Sequence, residues 1–337
     1  MLPTLRRALI LIVPLLIALT LQSLQTSPPF PLAYKLIDIS LEVVLKTLVA
    51  GRDVYIETSW GRSRAITIPC PNSDPVRPPL VLFHGVTSKA ADLLPVALAV
   101  KYQKTFSEIV LIDLQGHGET DMCDDEIAFS FEGMTDMALE TLDSLFPTNS
   151  ENAVLAGNSL GGLILFQVGL RGRKNPLYMI SPGGAPSTAS ELAALSEVFG
   201  IKTHSSAVTF FKTMLSEKRY KPSLFVNIMA FGCLHRTASQ NVKRIFKTLT
   251  SPDEETYKHD MSNFVAPTGL FWGKEERLLA DNDLQYFKQK LSPFLVGPVD
   301  EPDYFGHVPF FDDPIGVARY IGQFADRVIA DKSKRSE

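Results

Sequence analysis

Cysteine is scarce in this chain. Its three residues, Cys70, Cys123 and Cys233, are far apart and odd in number, which gives neither a disulfide framework nor a paired-cysteine metal site. No extended basic block is present, and 33 Lys plus Arg against 37 Asp plus Glu leave a net charge of −4. A nucleic-acid partner therefore has no electrostatic footprint. The sequence has no internal repeat and no Asn-x-Ser/Thr acceptor, the latter favouring a bacterial envelope over a glycosylating lumen. Long apolar runs are missing except at the amino terminus, which argues against a multi-span transporter. The 337 residues, 45% hydrophobic and 21% charged, suit a globular chain with one large α/β domain carrying an insertion, or two small ones.

Ala8 to Leu21 is an apolar run of 14 residues with Thr20 its only hydroxyl, preceded by Arg6 and Arg7. This is the layout of a secretory signal, but LTLQSLQ after Ala18 offers a poor cleavage site. An uncleaved signal-anchor over residues 1–27 is expected, single-pass, with the amino terminus cytoplasmic because the arginines precede the run. The remainder of the chain then lies outside the cytoplasm, in the periplasm if the source is bacterial; the alternative is a soluble exported protein after cleavage. After a Pro-rich break, residues 28–51 read as an amphipathic linker helix with Lys35, Asp38, Glu42 and Lys46 forming a narrow polar stripe. Such a helix fits a membrane interface or packing across the following domain equally well.

From Val54 the pattern alternates short β-rich runs with helix-length segments. Val54–Thr58 and Ala65–Pro69 form an opening hairpin; Leu80–Phe83, Ile109–Leu114, Ala153–Ala156, Leu177–Ile180 and Gly269–Trp272 are buried parallel strands. Helices are expected over Ala91–Tyr102, Phe131–Leu145, Leu160–Arg171 and Asn282–Lys290. The alternation specifies a mostly parallel sheet with helices on both faces. Residues 183–262 lack a convincing strand and read as a helical cap between two parts of the core, 52–182 and 263–332, with a polar tail at 333–337.

Gly157-Asn158-Ser159-Leu160-Gly161 fits G-x-S-x-G directly after a strand and before a helix. A serine on so tight a turn needs neighbours without side chains, and the helix below it offers free N–H groups to a developing oxyanion. Ser159 is the expected nucleophile. In LVLFHGV, Gly85 permits a turn and the N–H of Val86 pairs with that of Leu160 as oxyanion donors; His84 is structural, and Asp113 and His117 of DLQGHG fix their own loop. The late strand in APTGLFWGKEERLL ends near Glu275 and Glu276, either of which is placed to orient a histidine. YFGHVPF supplies that base, His307, while His204, His235 and His259 are surface residues without a motif. The order Ser159, Glu276, His307 is nucleophile, acid, base.

Together HGV, DLQGHG, GNSLGG, FWGKEERLL and GHVPF resemble the α/β-hydrolase superfamily over Val54 to about Val328. Within it, the amino-terminal run, SPGGAPST and VAPTGLFWGKEERLL are similar to membrane-anchored monoacylglycerol lipases and related bacterial lipases and esterases. The resemblance implies an α/β-hydrolase fold and a serine ester hydrolase using no metal or organic cofactor. In that group the acid is usually Asp, so Glu276 departs from the pattern with a longer arm. Lipid monoesters such as monoacylglycerols are the expected substrates, with Phe210, Phe211, Met214, Phe225 and Met229 of the cap either lining an acyl tunnel above Ser159 or simply packing the cap helices. The rival activities are a serine-dependent C–C bond hydrolase and a catalytically silent binding protein. Oligomeric state is open.

Overall fold

The computed structural model describes residues 31–71, 77–120, 126–148, 150–219, 221–250 and 259–336. The expected signal-anchor, Cys123 and the Lys35 side chain lie outside what is described. No helix among the described residues is long and apolar enough to cross a membrane.

Helix α1 (Pro31–Val49) precedes a hairpin of β1 (Arg52–Thr58) and β2 (Gly61–Pro69). Then come β3 (Leu80–Phe83), α2 (Leu94–Gln103), β4 (Glu108–Ile112), α3 (Phe131–Leu145), β5 (Val154–Asn158), α4 (Leu160–Leu170) and β6 (Leu177–Ile180). Four helices follow in the segment expected as the cap: α5 (Ala189–Val198), α6 (His204–Met214), α7 (Ser223–Thr237) and α8 (Gln240–Leu249). Strand β7 (Thr268–Phe271), α9 (Asp281–Leu291) and α10 (Pro314–Ser336) complete the chain.

The seven strands lie in the order β1-β2-β4-β3-β5-β6-β7. Strand β2 runs antiparallel to β1 and β4, and the remaining pairs are parallel. Parallel strands need both faces covered, and alternate side chains divide accordingly. Leu80 and Leu82 of β3 join a core with Leu94, Ala97 and Val100 of α2 and Ile321 and Phe324 of α10. Val81 and Phe83 join the opposite core with Met134 and Leu142 of α3, Ile164 of α4 and Phe287 of α9. Helix α4 is apolar almost all round and buried throughout most of its length, as befits a helix enclosed on every side.

The chain passes from β3 outward to β4, then crosses back over β3 to β5. That reversal opens a crevice beyond the carboxyl ends of β3 and β5, the place where an open α/β sheet receives ligands. The first residues after both strands, His84-Gly85-Val86 and Ser159, therefore enter one crevice.

Helix α1 turns its charged stripe toward the domain. Glu42 pairs with Arg64 of β2 at 2.5 Å and with Lys89 at 2.9 Å, Asp38 with Lys89 at 2.7 Å, and Lys46 with Asp53 at 2.6 Å. Helix α10 was not expected from the sequence, although Val317, Ala318, Ile321, Phe324, Ala325 and Val328 repeat at helical spacing and are all buried.

Candidate active site

Ser159 follows β5 and precedes α4 with φ +55° and ψ −114°, a strained conformation for a residue with a side chain. Its N–H donates to the Ile180 carbonyl at 3.0 Å, while its carbonyl accepts from Leu163 at 2.9 Å and Gly183 at 3.2 Å. These bonds hold the turn. The glycines permit it: a Cβ at Gly157 would lie 2.6 Å from the Gly161 carbonyl group, and one at Gly161 would lie 2.5 Å from the Phe83 oxygen. Neither distance is tolerable, because the atoms met belong to backbone.

Beyond β3, Val86 begins the facing wall. The His117 ring nitrogen Nε2 lies 2.5 Å from the Val86 carbonyl oxygen, so this histidine fixes the expected oxyanion loop as well as its own. His84 is fully buried, its Nε2 accepting from the Leu114 N–H at 3.0 Å and its Nδ1 lying 2.7 Å from the Gly85 oxygen. Burial and the neighbouring His117 hold its pKa well below the usual value, consistent with a structural part. Asp113 is equally occupied, accepting from the Ala90 and Glu119 N–H groups and from Arg64. Among the described residues, the Val86 and Leu160 N–H groups have no hydrogen-bond acceptor.

Glu276 and His307 meet at 2.8 Å, Oε2 to Nδ1, with both side chains almost entirely buried. The other carboxylate oxygen accepts from the Leu278 N–H at 2.8 Å and the Leu279 N–H at 3.2 Å. Burial pushes the Glu276 pKa up, but His307 and the two N–H groups outweigh it, and the net direction is downward. The adjacent Glu275 points away. Its Oε2 accepts from the Ser216 hydroxyl at 3.0 Å and from the Glu217 N–H at 2.9 Å, tying the turn after β7 to the end of α6. The structure thus brings Glu276 to the histidine and Glu275 to the cap.

Asn158 was not singled out in the sequence except as the variable residue of the serine motif. Its side-chain amide donates to the His307 carbonyl at 2.8 Å and to the Ile180 carbonyl at 3.1 Å. The strand end that presents Ser159 therefore also holds the loop that presents His307. On the other side of that loop, Gly306 donates to Asp312 at 2.8 Å and Val308 to Met214 at 3.1 Å.

Ser159 and His307 line one cavity of about 30 Å³, room for about one or two water molecules. Phe211, Met214 and Met229 line it, together with Phe199, Leu278, Phe310 and Phe311. Phe210 and Phe225 do not. Phe210 turns to Phe199, with ring centroids 5.0 Å apart, and Phe225 packs behind Phe211 and Phe311 at 6.0 and 5.9 Å. Successive helical residues diverge by about 100°, so Phe210 and Phe211 of α6 cannot both face the cavity.

His259 is not a surface residue. Its Nδ1 lies 2.6 Å from the Tyr286 hydroxyl and its ring meets Phe166 edge-on at 4.7 Å. Burial and the nearby Lys290 lower its pKa to about 4. His204 is half-buried against Phe231, and His235 is exposed as expected. Among the described residues no group of His, Cys, Asp and Glu is arranged to hold a metal ion.

No curated protein sequence matches the chain. Among solved structures, a provisionally assigned lipase of Acinetobacter baumannii AYE superimposes with a TM-score of 0.72 at 17% identity, covering 87% of this chain and 97% of that one. A membrane phospholipase A described as a bacterial virulence factor gives 0.69 at 19% identity, covering 95% and 98%. The carboxylesterase CesB of Bacillus subtilis gives 0.60 at 18%, covering 86% and 98%. At such identities the likeness carries the fold alone. The sequence profile of the alpha/beta hydrolase family matches residues 80–320, which take in the elbow, the cap and the Glu276–His307 pair, and the chain belongs to that family.

Proposed function

We propose that the chain is a serine ester hydrolase acting on lipid monoesters, with Ser159, His307 and Glu276 as its triad. The observation that carries this is the buried 2.8 Å contact between Glu276 and His307 beside the cavity that Ser159 lines. Glu276 fixes the Nδ1–H tautomer, leaving Nε2 to take the Ser159 proton as Oγ attacks the ester carbonyl. The N–H groups of Val86 and Leu160 hold the oxyanion, His307 returns the proton to the departing alcohol, and water then frees the acyl group by the same steps in reverse.

An apolar cavity wall of Phe199, Phe211, Met214, Met229, Phe310 and Phe311 supports an acyl chain as the occupant. In the conformation seen the cavity is too small for one, so these side chains give way on binding; Met and Phe rotamers do so readily. With p-nitrophenyl esters from C2 to C12, assayed below their aggregation concentrations, kcat/KM should rise several-fold per added pair of carbons until the space is filled, at up to about 0.8 kcal/mol per methylene. A flat or falling series sinks the lipid-ester assignment.

Membrane attachment belongs to the same proposal. Helix α1 spends Asp38, Glu42 and Lys46 on ion pairs with the domain, and its exposed positions Ile39, Leu41, Val43, Thr47 and Leu48 are uncharged. A face of that kind, following the apolar run Ala8–Leu21 in sequence, suits the boundary between head groups and acyl chains. Carbonate washing should leave the full chain in the membrane pellet and release a version starting at Arg52; release of both contradicts the anchor.

A further inference from the structure

The loop that carries Val86 is held from two sides. From the core, His84 Nε2 accepts the Leu114 N–H, so the ring proton sits on Nδ1, which donates to the Gly85 carbonyl at 2.7 Å. The Ser88 N–H donates to the same oxygen at 3.1 Å. A trans peptide is planar with its C=O and N–H opposed, so whatever holds the Gly85 oxygen also aims the Val86 N–H. The second hold comes from helix α7, where Arg236 Nη1 donates to the Thr87 carbonyl at 2.8 Å. That carbonyl shares its peptide plane with the Ser88 N–H. Two rigid planes therefore connect Arg236 to the Val86 N–H.

Arg236 is itself fixed. Nη1 also donates to Asp92 Oδ2 at 2.6 Å, and Nη2 to Oδ1 at 3.4 Å. Asp92 in turn accepts from the Ser88 hydroxyl at 2.8 Å and from the Lys89 N–H at 3.3 Å, so the ion pair grips the same turn at a second point. The two side chains are only 16% and 8% exposed, and solvent screens such a pair weakly. Met229, Cys233 and Arg236 follow one another on α7 at spacings of four and three, which places them on one face, and all three line the catalytic cavity. The helix face that walls the cavity is also the face that anchors the loop.

We infer that Arg236 is a positioning residue for the oxyanion donor: through the Thr87 carbonyl and Asp92 it fixes the turn that aims the Val86 N–H, so that oxyanion stabilisation depends on helix α7 as well as on the core. The inference rests on the ester-hydrolase function proposed above. It adds a residue that touches neither substrate nor triad and acts on the transition state through the backbone.

The test compares turnover of p-nitrophenyl butyrate with inhibition by butaneboronic acid, whose adduct with a nucleophilic serine is tetrahedral and anionic like the intermediate. Arg236→Met keeps an apolar stem and removes the donor. Because it also leaves Asp92 buried without its partner, the double variant Arg236→Met/Asp92→Asn is measured beside it, with urea unfolding to show that each is folded. Both should lose kcat by about 10- to 100-fold, with KM changed less than about threefold and boronate affinity weakened by the same factor as kcat. If the single variant does not fold, the double variant decides alone. Wild-type kcat in the folded variant, a loss confined to KM or to the urea midpoint, or a fall in kcat with boronate affinity intact overturns the positioning role and leaves the hydrolase standing. Wild-type protein that neither cleaves the ester nor binds the boronate overturns both.

Discussion

The side-chain amide of Asn158 donates to the main-chain carbonyl of His307 at 2.8 Å, so the residue immediately before Ser159 holds the loop bearing the imidazole. A second bond from the same amide, to Ile180 at 3.1 Å, ties that clamp to the end of β6. Ser159 and His307 are thereby referenced to one strand end, although they stand 148 positions apart in sequence.

Loss of the clamp should misplace the base without removing it. Asn158→Ala is expected to lower kcat by about 10- to 100-fold, the scale of an ångström-sized error in position, with KM changed far less. Asn158→Asp, which presents oxygen to two carbonyl oxygens, should do no better. Wild-type kcat in both variants, measured with a short p-nitrophenyl ester, contradicts a positioning role.

The two adjacent acids should separate cleanly. Glu276→Gln is expected to cut kcat by about 10³- to 10⁴-fold, as loss of a triad acid does. Glu275→Gln leaves the His307 contact intact and should stay within a few-fold, its cost falling on the bonds to Ser216 and Glu217 and therefore on stability. The reverse pattern transfers the role to Glu275.

Helix α1 should be coupled to the domain through a pH-dependent term. Burial pushes the Glu42 pKa up, but Lys89 and Arg64 prevail and bring it from 4.5 to about 2. A folded-state pKa below the unfolded value gives stability that is complete above about pH 5 and is lost as pH falls from about 4.5 toward 2. Glu42→Gln should therefore cost about 2 kcal/mol in urea unfolding at pH 7, after allowance for solvent screening, and the two proteins should converge as pH approaches about 2. A gap of constant size across that range contradicts the assigned pairs.

Local sterics made the elbow legible in the sequence: Ser159 at positive φ requires Gly157 and Gly161, and no other arrangement of residues meets the backbone distances found there. The alternation of strands and helices also fixed the sheet, because both faces of β3, β5 and β6 are buried. What stayed open depended on contacts between distant segments. Whether Glu275 or Glu276 reaches the histidine is set by the turn after β7, where the Glu275 N–H donates to Phe305 at 2.9 Å and the Glu276 N–H to Gly273 at 3.0 Å. The side taken by the charged stripe of α1 is set by Arg64 and Lys89, which arrive from β2 and the loop after β3. Periodicity shows that such a stripe exists, not what it meets. His259 carries no motif, and only the arrival of Phe166 and Tyr286 buries it.

The most direct measurement is covalent labelling of the purified full-length protein with a fluorophosphonate, followed by peptide mass spectrometry. A single phosphonyl adduct on Ser159 is expected, absent from Ser159→Ala and formed at least about 10³-fold more slowly in His307→Ala, because the serine lacks nucleophilicity without its base. No adduct on the folded wild-type protein, or labelling of Ser159 at an undiminished rate in His307→Ala, contradicts the serine-hydrolase mechanism.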